Sequence, residues 1–174
     1  MKHIMKFSEN WVTTTTGDKP DAPANIDMQY TSKDKIYYGV HTISVSLDGK
    51  NRTYVKAKFD TGARSSSIDF TVAKKLGISD ALINKCRELD SVSIAKTMPK
   101  SKQLELEKRF TEDLKSEFPE VTSVQASRSS SGFSIRAYIR LNVEYDGRVV
   151  VTEANLRDRT GLSCEMLVGL KDML

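Results

Sequence analysis

The sequence predicts a mainly β domain built from two related hairpins with a helical insertion between them, and three observations carry that expectation. Ile43, Val45 and Leu47 alternate with Thr42, Ser44 and Ser46, and Ile135, Ala137, Ile139, Leu141, Val143 and Tyr145 alternate with Arg136, Tyr138, Arg140, Asn142 and Glu144. Period-two alternation is the mark of a strand with one face buried. Each run ends at an Asp-Gly pair, 48–49 and 146–147, which tight hairpin turns favour because glycine takes positive φ without strain. Asp158 follows Asp146 at the same separation as Asp60 follows Asp48. A duplicated unit folded about a pseudo-twofold axis explains that agreement, with two independent hairpins of equal length as the alternative.

Taken in order, residues 1–35 carry a TTTT run, Pro20, Pro23 and few aliphatics, and are expected to be an extension outside the core. A domain of residues 36–174 follows. Its first strand runs from Tyr37 to Leu47, with His41 on the apolar parity, where a half-buried strand histidine is the simpler reading than a catalytic one. The return strand, Asn51 to Phe59, sets Thr53, Val55, Ala57 and Phe59 against Lys56 and Lys58 and leads into Asp60-Thr61-Gly62-Ala63. Val72, Ala73 and Leu76 then suit one face of a short helix that Gly77 ends. A polar stretch reaches Ser101. Leu106, Phe110, Leu114 and Phe118 recur every fourth residue before Pro119, so 102–118 reads as an amphipathic helix within an insertion spanning about 80–120. Its charges read as a solvated outer face, making the helix a peripheral addition. The chain closes with Met166-Leu167-Val168-Gly169 and a short helix over LKDML.

Composition narrows the function. Hydrophobic residues at 39% and charged residues at 29% describe an ordinary globular domain rather than a disordered one. No apolar run is long enough to span a membrane, and the first residues lack the apolar stretch of a secretory signal. The expected location is cytoplasmic, or the host cytoplasm if the chain is encoded by a virus or phage. The net charge of +4 comes from 27 basic and 23 acidic residues; the basic ones are scattered, which argues against nucleic acid as a partner. Cys86 and Cys164 read as reduced thiols. With no HExxH, no Cys/His cluster and no phosphate-binding glycine loop, neither metal nor cofactor is expected.

Asp60 supplies a carboxylate on a tight loop in which Gly62 lets backbone approach and Thr61 offers a hydroxyl. In isolation Asp-Thr-Gly is a common turn sequence. Its context is more specific: VKAKFDTGARSSSIDFTVAKKLGIS and the terminal MLVGLKDML resemble retropepsin-like aspartic peptidases. RSSSGFSIRAYIRLNV followed by LRDRTGLSCEMLVG is similar to a bacterial and phage branch labelled ATP-dependent zinc proteases, although no zinc or ATP motif is present. The resemblance spans roughly 36–79 and 121–174. One departure is Leu170, where the family commonly has an arginine that pairs with an acid near the site.

The resemblance implies a retropepsin-like, closed barrel-like fold and an endopeptidase acting on polypeptides. It implies a homodimer in which Asp60 and its symmetry mate share one proton. One carboxylate then activates water while the other, protonated, polarises the scissile carbonyl. Thr61 would tie the two loops together, Gly62 would approach the substrate and Ala63 would keep the floor small. A flap over the site falls on 121–126 and 133–139, with Arg128, Ser129, Ser130, Ser131 and Gly132 at its substrate-binding tip. Asp158 is the in-chain alternative partner, but Arg159 interrupts its motif and is expected to crowd that loop and pair with the carboxylate. The rival function is a non-catalytic dimerisation or assembly module on the same fold.

Overall fold

The computed structural model describes residues 39–95, 97–129 and 132–173; the N-terminal extension and the start of the first predicted strand lie outside them. The strands are β1 (Gly39–Ser46), β2 (Thr53–Asp60), β3 (Ser66–Asp69), β4 (Ser93–Ile94), β5 (Val121–Ser129), β6 (Gly132–Tyr145), β7 (Arg148–Arg157) and β8 (Met166–Gly169). The helices are α1 (Phe70–Lys75), α2 (Asp80–Asp90) and α3 (Lys100–Glu117), with a 3-10 turn at Leu170–Asp172.

Six strands run in the order β1-β2-β8-β3-β7-β6, and β6 pairs back onto β1, so the sheet closes into a barrel. β4 and β5 hang on β6. The fold is thus mainly β and closed, with helices between the two hairpins, as expected. The predicted alternation fills the interior: Val55, Ala57, Phe59, Ile135, Ile139, Leu141, Leu156 and Met166 are fully buried. Phe59 meets His41 and Tyr145 edge-on at 5.5 and 5.2 Å. His41 is therefore a half-buried strand residue of the barrel wall. The second hairpin turn has Asp146 at φ 50° and Gly147 at φ 69°, the two positive values of a type I′ turn. In the first, Asp48 Oδ1 accepts the Lys50 and Asn51 amides at 2.8 Å each.

The pseudo-twofold relation extends beyond the hairpins. β2 pairs in parallel with β8, and β7 in parallel with β3, while β3 and β8 are antiparallel to one another. Each hairpin's return strand therefore takes the short strand of the other half as its neighbour, an exchange that the loop between helix and strand alone does not require.

Two elements depart from the sequence expectation. Residues 66–69, for which the sequence suggests no strand between the aspartate loop and the helix, form β3, flanked by β8 and β7, with all four residues buried. Its serines are tolerated because each is bonded. Ser66 Oγ donates to Asp172 Oδ2 and accepts the Gly169 amide, while Ser67 Oγ accepts from Arg159 at 2.9 Å. The polar stretch before Ser101 contains α2, capped by Ser79, with Leu82, Ile83, Cys86 and Leu89 buried. Burial, with Asp90 nearby, pushes the Cys86 thiol up to about 12, so it is an inert core residue.

Asp69 caps α1 through one oxygen, which accepts from the Thr71 amide and hydroxyl at 2.8 and 2.6 Å, and through the other accepts the Arg159 amide at 2.6 Å. Burial works against its charge, but these hydrogen bonds outweigh it and hold the carboxyl below its ordinary 3.8. A depressed folded-state value contributes stability above 3.8 that is lost as pH falls through that lower value. Asp69→Ala is expected to cost about 1–2 kcal/mol at neutral pH. Urea unfolding should show the gap to wild type closing as the buffer is taken below 3.8.

Candidate functional site

β2 carries Asp60 to the mouth of the barrel, where its register partner on β8 is Gly169. The chain then turns sharply: the Ala63 amide donates to Asp60 O at 3.1 Å, and the Gly62 amide to Asp60 Oδ1 at 2.9 Å. One carboxylate oxygen is thus fixed by the loop's own backbone. Asp60, Thr61 and Ala63 are half-exposed and Gly62 is exposed.

Two glycines make this geometry sterically accessible. A Cβ on Gly62 would stand 3.1 Å from Asp60 Oδ1. A Cβ on Gly169 would stand 2.5–2.8 Å from the backbone N, Cα and C of Ser65, closer than side-chain carbons are found. β8 and the aspartate loop therefore touch backbone to backbone, and the Leu170 amide adds a bond to Ala63 O at 2.8 Å. Leu170 stands where the resemblance leads one to expect an arginine, and in its vicinity Ser66 and Asp172 bridge β3 to the last turn, with the Tyr145 hydroxyl donating to Asp172 O at 3.0 Å.

Asp158 does not join Asp60. β2 runs with β8, β8 against β3, and β3 with β7, so the two return strands are antiparallel and their terminal acids leave from opposite ends of the barrel. Asp158 is exposed, and hydrogen bonds from Thr160 hold its carboxyl below the usual range, aided by Arg87 and Arg157. The expected pairing of Arg159 with Asp158 is not what forms. Arg159 is buried, its Nε donating to Cys164 O at 3.0 Å and its guanidinium to Ser67 Oγ. Its side chain folds inward across β3 because unfilled acceptors lie there, whereas the Asp158 carboxylate already has Thr160.

The predicted flap is a hairpin. β5 pairs with β6 through Arg128↔Phe133 and Ser129↔Gly132; Ser130 and Ser131 lie outside the described residues. Between this hairpin, the loop 62–65, the first turns of α3 and the outer face of β7 lies a cleft of about 740 Å³. Gly62, Ala63 and Arg128 line it; Asp60 and Thr61, next along the chain, do not. The cleft is strongly basic. Arg64, Lys100, Arg128, Arg136, Arg157, Arg159 and Lys171 line it against one acid, Glu107. Burial, then the neighbouring Arg157 charge, brings Arg136 and Arg159 below the usual guanidinium range, partly offset at Arg136 by Asp90. On the same wall Asn155 Oδ1 and Arg157 Nε are buried with no hydrogen-bond partner, leaving an acceptor and a donor for something that enters.

Sequence reasoning missed this concentration, because cations from the loop after β2, α3, β5, β6, the end of β7 and the last turn meet only in the fold. It also placed the 102–118 helix at the periphery. Lys100, Gln103 and Glu107 of α3 line the cleft, because the helix docks along β5. Among the described residues no group of three His, Cys, Asp or Glu side chains is placed to hold a metal ion, and no helix is long and apolar enough to cross a membrane.

No protein-family model matches the sequence, and no curated protein does. Solved structures similar to it include a Legionella pneumophila protein of unknown function, at 16% identity and TM-score 0.34, covering 78% of this chain and 84% of that one. The EIAV protease, solved with an inhibitor, is 12% identical with TM-score 0.36, covering 82% of this chain and 88% of that one. The retroviral protease-like domain of Ddi1 from Leishmania major is 14% identical with TM-score 0.33, covering 78% and 72%. The overlaps are partial, and the barrel described above stands on its own strand order and register.

Proposed function

We propose that this chain is one subunit of a retropepsin-type aspartic endopeptidase that acts as a homodimer on polypeptides bearing acidic side chains. The observation that carries the reading is the Asp60 loop. A carboxylate stands at a strand end beside a cleft, one oxygen held by the Gly62 amide, on a loop packed backbone to backbone against β8. The repeat-related acid, Asp158, leaves from the opposite end of the barrel, so the second carboxylate of a dyad comes from a second copy.

Two such carboxylates face to face cannot both ionise cheaply and hold one proton between them. The ionised Asp60 takes a proton from a bound water as its oxygen adds to the scissile carbonyl carbon. The protonated one donates to the carbonyl oxygen. Collapse of the tetrahedral diol breaks the C–N bond: the leaving nitrogen takes the proton the first carboxylate had accepted, and the second carboxylate recovers its proton from a diol hydroxyl as the new C=O forms. Gly62 orients the carboxylate, and Thr61, at the crown of the turn, faces the second copy's loop.

The basic cleft supports the choice of substrate. Seven cations against one acid attract carboxylate side chains and repel basic ones. Purified protein is expected to cleave Asp- and Glu-containing peptides with higher kcat/KM than neutral peptides of equal length. The preference should collapse at about 1 M salt, where the screening length is roughly 3 Å. Sedimentation is expected to give a dimer. A monomer with full activity, or equal cleavage of basic and acidic peptides, would contradict the proposal.

A further inference from the structure

Among the described residues β5 is an edge strand, paired with β6 alone, and an open strand edge is a liability that proteins cover. Here the cover is made by two side chains. The Val124 amide donates to Thr111 Oγ1 and the Ala126 amide to Glu107 Oε1, each at 2.8 Å. The Thr111 hydroxyl donates in turn to Glu107 O at 2.7 Å, so both contacts come from one turn of α3. The spacings match: one helical turn rises about 5.4 Å and two strand residues about 6.8 Å, a difference that the longer glutamate side chain spans. The anchored segment is functional ground, because Gln125, Ala126 and Arg128 line the cleft that Glu107 also lines. Ala126 is three residues from Ser129, which pairs with Gly132 at the hairpin end.

We infer that Glu107 and Thr111 are positioning residues: they latch the root of the hairpin to α3 and so set where it closes on a bound polypeptide. They act through β5 and do not touch reacting atoms. The inference rests on the peptidase reading, with the hairpin as its flap. It turns the helical insertion from a covering into a part that governs how firmly substrate is held.

The test uses pairs of variants that separate the hydrogen bond from charge and bulk. Glu107→Ala and Glu107→Gln both remove the negative charge, but only glutamine keeps an oxygen for the Ala126 amide. Thr111→Val removes the hydroxyl and Thr111→Ser keeps it. Amide exchange at Val124 and Ala126 is followed in the full chain together with kcat and KM on a dodecapeptide of Glu, Asp and Ala. Binding of the same peptide is measured by fluorescence anisotropy in an Asp60→Asn background. In the Ala and Val variants the two amides should exchange faster by a few-fold to about tenfold, the size expected of one lost hydrogen bond. KM and the dissociation constant should be higher by a similar factor in Glu107→Ala than in Glu107→Gln, and in Thr111→Val than in Thr111→Ser, with kcat changed less; Ser should restore wild-type values and Gln the wild-type exchange rates, its binding tightened only by the lost acid.

Unchanged exchange in the Ala and Val variants would overturn the latch. Faster exchange with unchanged KM and binding would reduce it to a structural contact and overturn the positioning role. So would loss of folded protein in both Glu107→Ala and Thr111→Val. If the wild-type chain cleaves no peptide, the peptidase reading falls on its own. The latch is then decided by the binding arm, weaker binding in Ala and Val supporting it and equal binding overturning it.

Discussion

Asp60→Asn is expected to lower kcat by about 10³-fold or more, the scale of a lost general acid–base group, while leaving unfolding and sedimentation unchanged. Asparagine keeps an oxygen to accept the Gly62 amide, which now bonds to Asp60 Oδ1 at 2.9 Å, so the loop keeps its shape and only the ionisable oxygen is lost. Asp60→Ala removes that anchor as well and should loosen the loop. Hydrolysis of an acidic peptide by the Asn variant within tenfold of wild type would remove Asp60 from the reaction. A wild-type protein that dimerises yet cleaves nothing in a diverse peptide mixture would favour the assembly module instead.

Gly169→Ala is expected to destabilise the fold by about 3 kcal/mol or more, the upper end of overpacking costs, read as a shift of the urea midpoint. The new Cβ would meet Ser65 backbone at 2.5–2.8 Å, and neither partner can swing away: Ser65 is tied to the Asp60 loop and Gly169 to β2. Gly62→Ala makes the instructive contrast. Its Cβ would meet only a side-chain oxygen, Asp60 Oδ1 at 3.1 Å, so stability should change little while the carboxylate is turned and kcat falls. Equal loss of stability in the two variants would show that the Asp60 loop is as rigid as the β8 contact.

The hairpins and α3 were legible in the sequence because each rests on a local rule. Alternation buries Ile43, Val55 and Ile139, and Asp-Gly pairs close the turns. Four-residue spacing places Leu114 and Phe118 in contact with the core. β3 was not legible, since Ser66 and Ser67 look like loop residues until their partners Asp172 and Arg159, about a hundred positions away, are known. α2 was obscured by Lys85, Arg87 and Glu88, which crowd its outer face and mask Leu82, Ile83, Cys86 and Leu89. Asp60 stood out through its motif, but the basic cleft did not, because no short window holds more than a few of its cations. The role of Arg159 was misread for the same reason: the competing acceptors on Ser67 and Cys164 are invisible to a reading that looks only at the adjacent aspartate.

The exchange of short strands between the two halves has a consequence for synthesis. β8 lies between β2 and β3, which leave the ribosome more than ninety residues earlier, so the barrel has a gap at its centre until residues 166–169 have been made. Pairing so distant in sequence forms late and slowly. The Asp60 loop takes its backbone backing from Gly169 and Leu170, and before they arrive that support is missing. A nascent chain therefore carries its aspartate in an unformed loop throughout most of translation, and the two hairpins wait with open edges that a chaperone or a neighbouring chain can reach.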